Sequence, residues 1–220
     1  MRKKILSFVV LASMIFAYGN LMAWNLSGMF GAETANAAST TSVQTITLDV
    51  TSTITLTLAT GTVALGTLVP GVANTVDTSL SVTTNEYNGW YLSVKRDDAA
   101  TTLNMNGAST PNITYPDATA WNYSAPNATT SANVGANLSF HVKNTGTDAA
   151  LTSSTLWGAD DTAPNALFAG FPVSSQRIAG ISSYVSSAQT VAYTIRADAP
   201  GTQQSGAYSG TITFTALSTP

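Results

Sequence analysis

The stretch Thr45-Ile46-Thr47-Leu48-Asp49-Val50-Thr51-Ser52-Thr53-Ile54-Thr55-Leu56-Thr57-Leu58 decides the fold class. Ile46, Leu48, Val50, Ile54, Leu56 and Leu58 fall on even positions, and the odd ones hold threonine or Asp49. A period of two puts the apolar side chains on one side of a pleated strand, whereas a helix would scatter them around its axis. The β-branched threonines suit the other side. Ser52 interrupts the apolar side and the run is long for one strand, so the pattern predicts two strands, or one that bends between sheets.

The same alternation returns around Leu80 and Val82, in Trp90, Leu92 and Val94, in Leu138, Phe140 and Val142, in Val191, Tyr193 and Ile195, and in Tyr208, Ile212, Phe214 and Ala216. Gly61, Gly66 and Pro70-Gly71 read as turns, and Asn88-Gly89 predicts a two-residue hairpin leading into Trp90. No segment sustains a helical period, which leaves room for one short helix. The expected fold is all-β, an immunoglobulin-like or jelly-roll β-sandwich with long decorated loops near 106–135 and 144–187. Those loops hold Tyr115, Trp121, Tyr123, Trp157, Phe168, Phe171 and Tyr184.

Upstream, Arg2, Lys3 and Lys4 precede an apolar run from Ile5 to Ala17, and Ala35-Asn36-Ala37 offers the small residues of a signal-peptidase site. The expectation is a signal peptide over 1–37 and one secreted domain over 38–220, a body of 183 residues. No second apolar segment of spanning length follows, so no membrane span is expected after cleavage. Leu217-Ser218-Thr219-Pro220 carries neither the hydrophobic tail nor the basic cluster of a sortase signal, so the expectation is that retention at the cell is noncovalent or absent.

Without the leader, five basic groups stand against ten acids, formally −5. Lys95, Arg96, Lys143, Arg177 and Arg196 are scattered apart from one pair, which argues against nucleic acid and anionic lipid. Cysteine is absent, so packing alone holds the core. Only 9% of residues are charged, and hydroxyls and amides solubilise the exposed strand faces.

His141 is the sole histidine, and the alternation of Phe140 and Val142 assigns it to a surface or second face beside Ser139 and Lys143. No Gly-x-Ser-x-Gly elbow presents a nucleophile, and a zinc site would need more His or Cys ligands. Asp97-Asp98 and Asp160-Asp161 read as solvated turn residues; calcium is the better functional alternative, though the patterned Asp-x-Asp-x-Asp-Gly loop is missing. The expectation is therefore no catalytic residue, no metal, no cofactor and no enzyme. Sequons at Asn25, Asn112, Asn122, Asn127 and Asn137 read as chance in so Asn- and Thr-rich a chain. Tyr91, Trp121, Tyr123 and Trp157 are the candidate glycan or partner contacts, with loop packing the favoured reading for Trp121, Tyr123 and Trp157 and core packing the reading for Trp90.

Gly89-Trp90-Tyr91-Leu92 and the segment Tyr208 to Pro220 together resemble the WxL domains of Gram-positive surface proteins. Trp90 and Leu92 match the first motif; Tyr208, Thr211, Ile212 and Phe214 fit the second, with Phe214 where that family has tryptophan and Ala216 where it has leucine. The resemblance implies a non-catalytic β domain at the cell surface, held noncovalently to peptidoglycan or other cell-wall glycan, or to neighbouring surface proteins. One alternative is a self-assembling pilus or coat subunit, a homo-oligomer in which the Thr-rich segment after the leader is lent as a strand. A second is a carbohydrate-binding adhesion module.

Overall fold

In the computed structural model, residues 44–105, 114–130, 135–148, 154–162 and 164–219 are described. The expected signal peptide, its cleavage site, Asn25 and Asn112 lie outside them. The chain divides into Met1–Asp49 and Val50–Pro220. Of the first unit only residues 44–49 are described, exposed and without regular secondary structure.

The second unit is all-β, with antiparallel sheets and a single described helical turn, α1 (Ser154–Trp157). β1 (Ile54–Leu58) pairs with β2 (Asn74–Thr84), β2 with β9 (Gln189–Ala197), and β9 with β6 (Leu138–Val142). The second main sheet sets β3 (Trp90–Arg96) between β11 (Ile212–Ser218) and β8 (Gln176–Ile181). Two short ladders complete the structure, β4 (Asn104–Met105) with β10 (Tyr208–Ser209), and β5 (Thr129–Thr130) with β7 (Leu167–Phe168). Leu80 and Val82 of β2, Val191, Tyr193 and Ile195 of β9, and Trp90, Leu92 and Val94 of β3 share one buried cluster, an arrangement consistent with a β-sandwich.

Three expectations are corrected. Of the long Thr-rich run only Ile54–Leu58 is a strand. Asn88-Gly89 does form a turn, with Gly89 at φ +80° and its N–H bonded to Glu86 O at 3.3 Å. Yet β2 and β3 belong to different sheets, so the turn carries the chain across the sandwich instead of closing a hairpin. A Cβ at Gly89 would lie 2.2 Å from Ile181 O, so glycine is required by close approach as well as by φ. The chain-terminal strand also breaks at Gly210: Tyr208 pairs with Met105, while Ile212 onward pairs with β3.

The loop-rich stretches cap edges. Leu138 N–H bonds Pro116 O at 2.8 Å and Ala118 N–H bonds Leu138 O at 2.9 Å; Phe140 and Ala169 exchange both backbone bonds at 2.8 and 3.0 Å. The outer edge of β6 is thereby closed by segments from both stretches. On β8 a bulge at Ile178 shifts the register between Leu92 and Ser93. Trp121 Nε1 donates to Arg177 O at 2.8 Å and Trp157 Nε1 to Ile178 O at 3.2 Å, so two indoles satisfy the carbonyls of the bulge. The rings lie 4.4 Å apart, and Phe140 stacks between Trp157 and Phe171 at 5.1 and 4.6 Å.

Candidate functional site

The family-motif residues divide by burial. Trp90 and Leu92 are fully buried, and Ala216 and Ser218 of β11 lie directly opposite Leu92 and Trp90, so the Ile212–Ser218 part of the second motif segment is a hydrogen-bonded neighbour of the first. Ile212 and Phe214 are half-buried, Phe214 packing on Tyr193 at 5.2 Å. Tyr208 is half-buried, its hydroxyl donating to Gln204 O at 2.8 Å and accepting from Gln203 Nε2 at 2.7 Å.

Of the candidate contacts, Trp121 and Trp157 are 1% and 0% exposed. Their rings meet protein on every side, and a glycan cannot reach them. Tyr91 and Tyr123 differ: Tyr123 is 39% exposed and Tyr91 half-buried. Between them lies Arg177, its guanidinium carbon 5.7 Å from the Tyr91 ring centroid and 5.3 Å from that of Tyr123. β3 alternation turns Tyr91 away from the Trp90 core, and Tyr123 N–H bonds Gln176 Oε1 at 3.1 Å, tying its loop to β8. A Cβ on Gly180 would come within 2.7 Å of Arg177 Nη2, so the missing side chain leaves the guanidinium its place. An arginine between two tyrosines offers a bidentate donor fork for a carboxylate or phosphate and ring faces for sugar stacking. Arg177 was not a candidate on sequence grounds, because nothing local links it to Tyr91 or to Tyr123.

The chain matches no protein-family model, and no curated protein matches it significantly. The site must be read from its own chemistry.

His141 does lie on the second face of its strand, but the surface assignment is corrected: the second stretch covers that face and the ring is fully buried. Nδ1 stands 2.9 Å from Leu167 O and Nε2 3.2 Å from Asp161 Oδ1. Both ring nitrogens lie within hydrogen-bond distance of protein oxygens and the ring is fully buried, so the imidazole is engaged within the fold. Asp161 also accepts from the backbone N–H of Asn144 at 2.5 Å, from Thr145 N–H at 2.8 Å and from the Thr145 hydroxyl. Burial pushes the Asp161 carboxyl up, but the Thr145 hydroxyl, the two backbone N–H groups and His141 outweigh it and hold it down at about 2. Asp161 is thus a buried anchor, not a solvated turn residue. Asp160 does face solvent and caps its turn through Thr162 N–H and Asn165 Nδ2 at 2.9 and 2.8 Å.

Other charged groups serve structure. Arg96 pairs with Asp117, which also takes Thr102 N–H at 2.8 Å, and both side chains are nearly buried. An open groove of about 420 Å³ runs along Asp77, Ser79, Lys143 and Thr190, but Lys143 and Asp77 are already paired at 2.7 Å. Among the described residues, no group of three or more His, Asp or Glu could hold a metal ion.

Proposed function

We propose that this chain is a secreted, non-catalytic cell-surface protein whose WxL-like β domain associates noncovalently with cell-wall glycan. The observation that carries the reading is the partly exposed Tyr91–Arg177–Tyr123 cluster, in which Tyr91 lies on the face of β3 opposite buried Trp90 and Leu92. Peptidoglycan stems and anionic wall polymers carry carboxylates or phosphates beside sugar rings, the two features this cluster complements. The pairing of Ile212–Ser218 with the strand that holds Trp90 and Leu92 favours the family resemblance. The longer strands divide four and three, as in immunoglobulin-like constant domains, although β9 joins β2 and β3 joins β8 in an order of their own. The non-catalytic reading rests on the His141 nitrogens, both already engaged.

The test is cosedimentation of the full chain, expressed with its leader in a secreting bacterial host, with isolated cell walls. Wild type sediments. Losing both ring contacts to Arg177, each worth about 0.5–1 kcal/mol, should lower affinity about tenfold in Tyr91→Ala/Tyr123→Ala, with the melting temperature kept within a few degrees. A double variant that sediments like wild type overturns the site. A wild-type chain that stays in solution overturns the function.

A further inference from the structure

The edges of the two main sheets are unequal. β6 and β8 are closed by backbone bonds and indole donors, and the side chains there, such as Phe140, Trp157 and Trp121, are fully buried. On the opposite side lie β1 and β11. Ile54 and Leu56 of β1 and Ile212 and Phe214 of β11 pack against the core and are only half-buried.

The ladders show which backbone groups are free. Thr211 O accepts from Asp97 N–H at 3.1 Å and Thr219 N–H donates to Gly89 O at 3.0 Å, so the odd residues of β11 bond β3. Ile212, Phe214, Ala216 and Ser218 turn their N–H and C=O outward, and no other described residue pairs with them. Their side chains point to the core, so a strand added here would meet both an unpaired ladder and an unfinished apolar face.

The same chain carries a segment with a strand's alternation but no strand pairing among the described residues. Ile46, Leu48 and Val50 are 86%, 84% and 76% exposed, on the alternate positions of a segment with threonine or Asp49 between them. The spacing of Ile46, Leu48 and Val50 matches that of Ile212, Phe214 and Ala216, the inward-facing positions of β11. Residues 51–53, between this segment and β1, are held in place. Thr53 N–H donates to Asn85 Oδ1 at 2.7 Å, Thr53 O accepts from Asn85 N–H at 3.3 Å and from the Thr84 hydroxyl at 2.7 Å, and Thr51 O accepts from Asn85 Nδ2 at 2.9 Å. These bonds continue the line of β1 beyond its pairing with β2, and reversing the chain within 51–53 would break them.

We propose that residues Gln44–Val50 of one copy add as a strand to the free edge of β11 in a second copy, placing Ile46, Leu48 and Val50 beside Ile212, Phe214 and Ala216. The contact is heterologous: each copy has one donor and one acceptor, so it extends to rings or filaments rather than stopping at a symmetric pair. It uses neither Tyr91 nor Tyr123 and stands independently of wall binding.

The test uses the full chain secreted as above, by sedimentation velocity over a concentration series. Wild type should associate with rising concentration. Ile46→Thr/Leu48→Thr/Val50→Thr, which keeps β propensity and removes the apolar face, should stay monomeric throughout with the wild-type melting temperature. An antiparallel pairing that sets Ile46, Leu48 and Val50 opposite Ala216, Phe214 and Ile212 brings Thr47 and Thr215 side by side. In this cysteine-free chain, mixing Thr47→Cys with Thr215→Cys should therefore give a mixed disulfide in several-fold excess over either homodisulfide. A monomeric wild type, a triple variant that associates like wild type, or no excess of the mixed product would each overturn the proposal.

Discussion

Asp161 accepts four hydrogen bonds on two oxygens while nearly buried, and the consequence is a pH dependence with a defined sign. Its folded value of about 2 lies below the ordinary 3.8, so the ionised carboxylate stabilises the fold. The contribution, about 2 kcal/mol, is fully present above pH 3.8 and is lost as pH falls through about 2. Urea titrations between pH 5 and pH 2 should show wild type losing stability, and Asp161→Asn, already weaker at pH 5, should vary less across that window. Trp90 gives a second measurement at this scale. It is fully buried, so Trp90→Ala should cost about 3–5 kcal/mol. An unchanged melting temperature would contradict a packing role.

At the scale of elements, β8 depends on two tryptophans that are remote in sequence. Trp121→Phe keeps an aromatic ring against Trp157 but removes the donor to Arg177 O, leaving a carbonyl of the bulge without its partner. The expected loss is about 1–3 kcal/mol by chemical denaturation; no loss would mean that water replaces the indole. The same bulge explains why β8 was illegible in the sequence. In Gln176-Arg177-Ile178-Ala179-Gly180-Ile181 the extra residue at Ile178 breaks the period of two, burying Ile178 and Ala179 side by side. The strands at Trp90, Leu138 and Val191 were legible because one face of each is continuously buried. Asn88-Gly89 announced its turn through the φ that glycine permits, but local chemistry sets only the reversal. Which sheet receives the next strand is decided by pairing with β8 and β11, more than eighty residues away in sequence. The candidate site was half legible for the same reason: Tyr91 and Tyr123 could be named singly, whereas Arg177 joins them only after β3 and β8 pair.

For the molecule as a whole, the long decorated stretches close the edges of β6 and β8, and no described residue pairs with the outer edges of β1 and β11. Local opening requires less free energy where fewer bonds and less apolar contact must be given up, and hydrogen exchange reads that difference amide by amide. Leu138 and Phe140 donate to Pro116 O and Ala169 O from within the fully buried part of the core. Their protection should therefore approach the global unfolding free energy, about 5–15 kcal/mol for an ordinary domain. Ile212, Phe214 and Ala216 direct their N–H groups to a free edge, so in dilute solution these amides should exchange with little protection, although the odd-numbered amides of the same strand are held by β3. A twofold alternation of fast and slow amides along β11, set against uniform slowness at Leu138 and Phe140, is the expected pattern. Raising the protein concentration should slow the fast set alone, because strand addition occupies those N–H groups and leaves the bonds to β3 as they were. Protection at Ile212, Phe214 and Ala216 that is already high in dilute monomer would mean the edge is covered from within the chain, and both the asymmetry and the intermolecular strand would fall together.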